Sequence, residues 1–257
     1  MGMDIQGINA VVTGAASGIG KALCLALHEA GANKVVCADL NGEGAAETAR
    51  QIDGAAFEVD VGQESEIREL VEVVERDIGP IGLFASNAGI IFRGGLEIPN
   101  EDWQAIWDVN VMSQVWAARH VVPRMAARGG GYLLNTASAA GLLNQVGAAP
   151  YAVTKHAAVG LAEWLAMTHG DDGIKVSVLC PQAVRTGMTA DPNSVAAIDG
   201  LMEAGPVAEA CLQAIRDETF LVLPHPEVLE YMRRKTSDYD RWIGGMQRLN
   251  RKFAKGD

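Results

Sequence analysis

A tyrosine and a lysine lie four residues apart in the segment YAVTKHAAVG, at Tyr151 and Lys155. The segment is rich in alanine and predicts a helix, so both side chains project from one face, close enough to touch. A positive charge beside a phenol lowers the phenol's pKa from about 10 towards neutral pH. We therefore expect Tyr151 to act as a general acid or base, with Lys155 tuning its pKa. A surface pair of this kind also arises by chance, so the remaining motifs have to decide.

A glycine-rich turn, TGAASGIG, joins a predicted strand to a predicted helix at residues 13–20. Gly14 permits a sharp turn, Gly18 lets the backbone approach a pyrophosphate, and Gly20 lets the helix pack closely on the sheet. The free N–H groups and the positive dipole end of the helix would then face the phosphates. The GxxxGxG spacing is weak evidence alone, but its position inside a β-α-β unit favours a dinucleotide site.

The second predicted strand, KVVCADL, ends in Asp39, nineteen residues after Gly20. A carboxylate at this point can accept hydrogen bonds from the adenine ribose hydroxyls, and it repels a 2′-phosphate. The residue therefore favours NAD over NADP. The alternative is that Asp39 only caps the helix that starts near Asn41, a role that Asp fills well.

Seven strands are predicted to position these residues, because short β-branched runs alternate with helical patterns. The runs are INAVVTG, KVVCADL, AAFEVDV, GLFASN, YLLNTAS, KVSVLCP and FLVLP. Repeated β-α units predict an α/β fold in one domain, residues 1–257, with a mostly parallel sheet and helices on both faces. Two regions break the alternation: a lid at about 182–205, directly after a strand end, and a helical C-terminal tail at about 225–257.

The composition disfavours two classes of partner. The net charge is −11 and the pI is near 4.9. Such acidity disfavours nucleic acid and membranes, unless the basic residues are concentrated in one patch. The one local basic cluster, RRK at 233–235, is interpreted as a solvated helix face.

Neither metal binding nor export is expected. The cysteines have no CxxC or zinc-type spacing and are predicted to be reduced, mostly buried thiols, at positions Cys24, Cys37, Cys180 and Cys211. The five histidines form no ligand cluster. No signal-peptide pattern and no apolar run of about 18 residues is present. We therefore expect a soluble, cytoplasmic protein without a metal.

Taken together, these motifs resemble the short-chain dehydrogenase/reductase family over roughly residues 5–224. The segments TGAASGIG, SNAG and PQAVRTGM follow in the family's order, with Ser86 and Gln182 where the family has Asn and Gly. The resemblance implies a doubly wound Rossmann fold, NAD as cofactor and a catalytic tetrad of Asn110, Ser138, Tyr151 and Lys155. It implies a cofactor site formed by Gly14, Ser17, Gly18, Ile19, Gly20, Asp39, Asp60, Val61, Asn87, Ala88, Gly89, Tyr151, Lys155, Pro181, Val184 and Thr186.

The resemblance also gives these residues roles. Tyr151 exchanges a proton with the substrate oxygen, Lys155 also holds the nicotinamide ribose, and Ser138 donates a hydrogen bond to the developing charge. No GxSxG pattern surrounds Ser138, so the sequence does not support a nucleophilic serine. Asn110 lies on an apolar helical stripe, where an Asn is either a satisfied core amide or, as in the family, part of a water relay.

An apolar substrate is expected, because Leu142, Leu143 and Val146 follow Ser138 in a stretch that borders the substrate by resemblance. Met188 and Met202 bracket the lid. These residue types suit a hydrophobic or aromatic secondary alcohol, although they are equally ordinary in a core. Two alternatives remain open: a 3-oxoacyl thioester reductase, and a non-catalytic protein that senses NAD.

A homo-oligomer, specifically a tetramer, follows from the family's habit and from apolar helical surface around Trp103, Trp107 and Trp116. His156 is expected to face solvent or another subunit. The tail carries an apolar stripe that closes the substrate pocket, packs on its own domain or meets another subunit, namely Tyr239, Trp242, Ile243, Met246 and Leu249. Packing on its own domain ranks first.

Overall fold

The sheet is described from a computed structural model, which covers residues 2–187 and 200–253. Seven strands pair in the order β3-β2-β1-β4-β5-β6-β7. Their bounds are β1 Asn9–Thr13, β2 Lys34–Asp39, β3 Ala55–Glu58, β4 Ile81–Ser86, β5 Gly131–Thr136, β6 Ile174–Leu179 and β7 Leu221–Val222. All seven predicted strands are present. The sheet was expected to be mostly parallel, and each of its six strand pairs is parallel.

Helices connect the strands and extend the chain beyond the sheet. In the described part they are α1 Gly18–Glu29, α2 Gly42–Gln51, α3 Glu64–Val73, α4 Asn100–Trp107, α5 Ser113–Ala126, α6 Ala140–Leu143, α7 Ala149–His169, α8 Ala204–Asp217, α9 Glu227–Ser237 and α10 Tyr239–Phe253. Two π-helical turns continue α3 and α4, at Val74–Ile78 and Asp108–Met112. None of the described helices combines the length and apolar character that crossing a bilayer requires.

Both faces of the sheet are covered, as the alternation of strands and helices predicts. Successive strand residues point to opposite faces, so Ala10 and Val12 pack with α1 and α8 while Val11 packs with α3, α5 and α7. All five residues of β1 are buried. A strand buried on both sides has no polar face, and this explains why the strands read as near-continuous apolar runs.

The order of the strands reverses beside β1, which pairs with β2 on one side and with β4 on the other. The chain therefore winds outwards in both directions from this point, and the loops after β1 and β4 separate. In doubly wound sheets, ligands bind at such a switch point, beyond the carboxyl ends of the strands. Thr13, Asp39, Ser86 and Thr136 are the last residues of their strands.

The region after β6 is described only in part. The lid was expected at 182–205. Residues 188–199 of this segment, Met188 among them, lie outside the described residues. The two flanking segments are bridged, because Val184 pairs with Met202. The Arg185 N–H donates to Met202 O at 2.8 Å, and the Met202 N–H donates to Ala183 O at 3.1 Å.

The tail differs from two expectations. The 233–235 cluster is not wholly solvated, because Lys235 is buried and its Nζ donates to Leu142 O at 2.6 Å. The tail stripe packs on its own domain only in part. Trp242 joins a small apolar cluster with Leu143 and Val228, but α10 contains no buried residue. A helical pattern in the sequence identifies the apolar face of a helix but not the surface that this face contacts. The sequence therefore could not distinguish packing on the same domain from contact with another subunit.

Candidate active site

A cleft of about 480 Å³ opens at the carboxyl edge of the sheet. Nearly every residue that was predicted from the sequence to bind a cofactor or to act in catalysis lines this cleft. Those lining it are Gly14, Ser17, Gly18, Ile19, Asp39, Asp60, Val61, Asn87, Ala88, Gly89, Ser138, Tyr151, Lys155, Pro181, Val184 and Thr186. Gly20 and Asn110 do not line it; each lies directly behind the wall, as described below.

The glycine-rich turn is tight against the loops after β4 and β6. Gly14 and Gly18 have positive φ angles, +68° and +54°. A Cβ on Gly14 would lie 2.9 Å from Ala88 Cα, and one on Gly18 would lie 2.8 Å from Thr186 Cγ2. Ser17 is the N-cap of α1, and its side chain makes no capping hydrogen bond. The first N–H groups of α1 therefore face the cleft without a side-chain partner.

Gly20 does not line the cleft but allows α1 to pack closely against the glycine-rich turn. A Cβ at this position would lie 2.0 Å from Gly14 O and 2.7 Å from Asn87 Nδ2. Both distances are far shorter than any real contact of a Cβ atom. Only glycine lets α1 start this close to the turn, as the spacing predicted.

Asp39 is oriented by the turn and does not cap α2. Its Oδ2 accepts from the Ala16 N–H and its Oδ1 accepts from the Asn41 N–H, both at 2.9 Å. The cap of α2 is Asn41, whose side chain accepts from the Gly44 N–H at 3.0 Å. A carboxylate has about four acceptor positions, so Asp39 can still accept from a ligand in the cleft. The helix-cap alternative is therefore wrong.

Asn87 ties together the ends of three strands. Its Nδ2 donates to Thr13 O at 3.0 Å, and its Oδ1 accepts from Thr136 Oγ1 at 3.2 Å. The Asn87 and Ala88 N–H groups both donate to Thr13 Oγ1, at 3.0 and 3.1 Å. The Ser86 substitution leaves this network in place. Asn87 thus fixes the floor of the cleft between β1, β4 and β5.

Asp60 and Val61 form the wall beyond β3. Asp60 Oδ1 accepts from the Gly62 N–H at 2.9 Å, and the Asp60 N–H donates to Glu66 Oε2 at 2.6 Å. Val61 is buried. The side chain of Asp60 is therefore held by its own loop, next to the apolar surface of Val61.

Tyr151, Ser138 and Lys155 meet at the β5 side of the cleft. Lys155 is buried, its Nζ lies 5.5 Å from the centroid of the Tyr151 ring, and it donates to Thr136 O at 3.1 Å. Ser138 Oγ accepts from the Ala140 N–H at 3.1 Å, donates to Pro181 O at 3.4 Å and lines the same cleft as Tyr151. The helical spacing thus brings the Tyr151 phenol and the Lys155 amino group together, as predicted, and the turn after β5 adds the Ser138 hydroxyl to the same side of the cleft.

The expected effect of Lys155 on Tyr151 is wrong. Burial raises the pKa of Tyr151, the hydrogen bond from Ser138 opposes this rise, and the Cys180 thiol adds to it. Burial also lowers the pKa of Lys155 to about 8. Both groups are removed from water, and the loss of hydration outweighs the attraction between them.

Asn110 is a fully buried, fully bonded amide in the second π-helical turn. Its Oδ1 accepts from the Ile90 N–H at 2.9 Å, and its Nδ2 donates to Ile90 O at 3.0 Å and to Thr154 Oγ1 at 3.1 Å. The side chain therefore locks the loop after β4 onto α7. These contacts favour the core-amide alternative for the side chain over a water relay.

Gln182 lies in the cleft wall where the family has glycine. Its N–H donates to His225 Nδ1 at 3.2 Å. The preceding residue, Pro181, accepts from the Ala139 N–H at 2.8 Å through its carbonyl oxygen. The loop after β6 is therefore held on one side by the Ser138 turn and on the other by the start of the tail.

Sequence reasoning missed several supporting residues. Thr13 and Thr136 hold Asn87 and Lys155 from the last positions of β1 and β5, and that strand-end position is a signal that could have identified them. Cys180 follows β6, and burial raises its pKa to about 12, so it remains a neutral thiol. Among the described residues, no group of three or more His, Cys, Asp or Glu side chains could hold a metal.

Comparison with known proteins agrees with this geometry. A family model described as short chain dehydrogenase matches residues 9–196. A 1-deoxy-11-beta-hydroxypentalenate dehydrogenase of Streptomyces exfoliatus is 34% identical over 254 residues, 94% of this chain and 91% of the relative. Epidermal retinol dehydrogenase 2 of Homo sapiens is 29% identical over 236 residues, 86% of this chain and 75% of the relative.

A solved structure agrees as well. A short-chain dehydrogenase/reductase from Burkholderia phymatum, determined in complex with NAD, is 30% identical and superposes with a TM-score of 0.84. The match covers 93% of this chain and 96% of that chain. The protein therefore belongs to the short-chain dehydrogenase/reductase family of oxidoreductases.

Proposed function

We propose that the protein is an NAD(H)-dependent dehydrogenase that interconverts an apolar secondary alcohol and its ketone, with Tyr151 as general acid and base. One observation carries the proposal: a single cleft joins Asp39 at the end of β2 to Ser138 and Tyr151 beside β5. Three strand spacings separate β2 from β5, roughly 14 Å, a distance that a dinucleotide can span.

The residues in the cleft fit NAD. The turn at Gly14 and Gly18 is shaped so that any Cβ would collide, and the free N–H groups of α1 suit a pyrophosphate. Asp39 would hold the adenine ribose, Lys155 the nicotinamide ribose, and Thr186 the carboxamide. When bound, the nicotinamide supplies the hydride acceptor or donor.

The chain's own residues handle the proton and the substrate oxygen. Tyr151 donates its proton to a carbonyl oxygen during reduction and takes the hydroxyl proton of an alcohol during oxidation. Ser138 donates a hydrogen bond to the same oxygen and stabilises its developing negative charge. Lys155 is held by Thr136 O, which keeps its amino group beside the phenol in either direction.

An apolar substrate is supported by the apolar residues around the cleft and by the relatives. Several apolar side chains line the cleft, namely Val59, Val61, Ile90 and Val184. Leu142 and Leu143 follow Ser138 on α6, border the substrate only by resemblance, and pack with Trp242 of the tail. The names of the two relatives above specify a hydroxypentalenate and retinol. From these names we infer only that the substrate of this protein is an alcohol with a large and mainly apolar carbon skeleton.

The test is an assay of secondary alcohols of increasing apolar size with NAD and with NADP, followed by NADH or NADPH absorbance. We expect kcat/KM with NAD to be at least about tenfold higher, because Asp39 accepts from the ribose and no described cation in the cleft wall other than Lys155 could bind a 2′-phosphate. Asp39→Ser with Leu40→Arg should narrow this ratio, whereas Glu43→Ser, on the exposed first turn of α2, should not.

Other outcomes would contradict the proposal. Tight NADH binding without turnover of any alcohol or ketone would indicate a non-catalytic NAD sensor. Turnover confined to 3-oxoacyl thioesters would indicate the thioester reductase. Equal use of NAD and NADP would show that Asp39 does not contact the ribose.

A further inference from the structure

The last helix, α10, is the most amphipathic of the described helices, yet none of its residues is buried. Its apolar side chains recur at helical spacing along one face, namely Tyr239, Trp242, Ile243, Met246 and Leu249. Tyr239 and Ile243 form the outer edge of this face and are 56% and 47% exposed. A water-exposed apolar edge on a helix without buried residues indicates that something else covers it.

The opposite face of α10 is cationic. Arg241, Arg248, Arg251 and Lys252 are exposed, and none makes an ion pair with a described carboxylate. The helix has one acidic residue, Asp240, against these four. Three of these cations, Arg241, Arg248 and Lys252, lie along one stripe of the helix, because they are spaced at i, i+7 and i+11.

The tail carries the opposite charge to the rest of the chain. Residues 225–257 contain eight Lys and Arg against five Asp and Glu, a charge of +3. The whole chain has −11, so the preceding residues carry −14. The basic residues are therefore concentrated in one patch, which is the condition under which an acidic protein can still bind an anionic surface.

The attachment of α10 to the domain is slight. Asp238 alone joins it to α9, and its backbone is extended there. A groove of about 430 Å³ separates the apolar face of α10 from residues 143–147 and from His156 on α7. The apolar face therefore touches the domain through Trp242, while Tyr239 and Ile243 stay exposed to solvent.

We infer that α10 is an interfacial helix that docks the protein on a membrane surface containing anionic lipids. The apolar face of α10 would enter the boundary between headgroups and acyl chains, and its four cations would contact the lipid phosphates. A mainly polar composition, with aromatic and aliphatic residues on one face and Lys and Arg on the other, is the feature that defines such helices. The inference does not depend on which alcohol the enzyme uses, and it departs from the expectation that no membrane is a partner.

A lipid surface fits better than a second copy of the chain. If a groove of another protein copy covered the apolar face of α10, the four cations on the opposite face of the helix would stay in water. Ion pairs formed there would add little to the free energy of binding. An anionic lipid surface engages both faces of the helix at once. It would also bring the groove lined by residues 143–147 close to the lipid phase, in which an apolar alcohol dissolves.

The test is flotation of the full chain with vesicles of phosphatidylcholine alone, or with added phosphatidylglycerol. We expect binding only to the anionic vesicles, and loss of binding at high salt. The double variant Arg241→Gln/Arg248→Gln should lower partitioning roughly thirtyfold. The matched control is Arg68→Gln/Arg216→Gln, which removes the same charge from two exposed arginines of α3 and α8 and should leave binding unchanged.

The apolar contribution is tested separately. Ile243→Ser should abolish flotation, whereas Leu96→Ser, at the 94% exposed Leu96 of a loop, should not. NADH binding and light scattering report whether each variant is folded and what its mass is. No binding of the unmodified chain to anionic vesicles, or equal loss in both arginine double variants, would overturn the inference. A lower mass for Ile243→Ser without any vesicle binding would overturn it too, because α10 would then cover another copy.

Discussion

In the proposed mechanism, Tyr151 sets the pH at which each direction of the reaction runs. Burial raises the pKa of its phenol, so the residue keeps its proton at neutral pH. A protonated phenol is ready to donate to a ketone, whereas oxidation of an alcohol needs the phenolate. Reduction is therefore expected to proceed at neutral pH, and oxidation is expected to accelerate as the pH rises.

Lys155 illustrates the cost of a buried charge at the site. Its pKa is lowered to about 8, while an unfolded chain would keep it near 10.5. The neutral form is thus favoured on folding, so the charge destabilises the protein fully below pH 8, and this effect disappears as the pH rises towards 10.5. Loss of the charge should stabilise the fold at neutral pH and harm function.

We predict that Lys155→Met raises the free energy of unfolding at pH 7 by up to about 3 kcal/mol, with almost no gain near pH 11. Thr136 O keeps a partner in this variant, because Gln114 Nε2 also donates to it, at 3.4 Å. Turnover and NADH affinity should both fall. Denaturant unfolding at the two pH values measures the effect, and Lys252→Met, at an exposed position, is the control. A loss of stability at pH 7 would contradict the argument.

Among the elements, the start of α1 is the least tolerant of a side chain. We predict that Gly20→Ala lowers the affinity for NADH more than about tenfold and reduces stability, because its Cβ would lie 2.0 Å from Gly14 O. Gly205→Ala, in the first turn of α8, has no atom within 4 Å of the new Cβ and should be neutral or slightly stabilising. Fluorescence titration and thermal unfolding compare the two. Similar effects of both substitutions would show that general helix propensity, and not this contact, matters.

Local patterns predicted the elements around the sheet well. The strands were evident because burial on both faces selects continuous apolar runs, and the turn was evident because its glycines are required by close approach of backbone atoms. The contacts of Lys235 were not predictable, since its partner Leu142 is 93 residues away. The π-helical turn that buries Asn110 has no signature in the sequence either.

The whole molecule exposes a second apolar surface, on α7 and α4. Val153, Trp164 and Met167 on α7 are 48%, 52% and 77% exposed, and Trp107 at the end of α4 is 37% exposed. Of the tryptophans named from the sequence, Trp103 and Trp116 are partly buried. Exposed apolar side chains clustered on one long helix favour contact with another copy.

We predict that the protein is a homo-oligomer, specifically a tetramer, and that Trp164→Glu/Met167→Glu reduces its mass. The two carboxylates would be buried without partners in the contact, which disfavours association. Light scattering at micromolar concentration measures the mass directly, and Leu96→Glu, at a 94% exposed position on a loop, is the control. A mass near 27.2 kDa for the unmodified chain would rule out the oligomer.

The central claim, that Tyr151 transfers the proton in an NAD(H)-dependent reaction, is tested most directly by Tyr151→Phe. Alcohol oxidation and NADH affinity are measured from neutral to alkaline pH for this variant, for the unmodified protein and for Tyr239→Phe, which removes a phenol hydroxyl from the exposed tail. We predict that kcat/KM of the unmodified protein rises about tenfold per pH unit below the Tyr151 pKa. Tyr151→Phe should lose turnover while its NADH affinity is nearly unchanged. Tyr239→Phe should behave as the unmodified protein. Retention of most of the turnover and of its pH dependence by Tyr151→Phe would contradict the account.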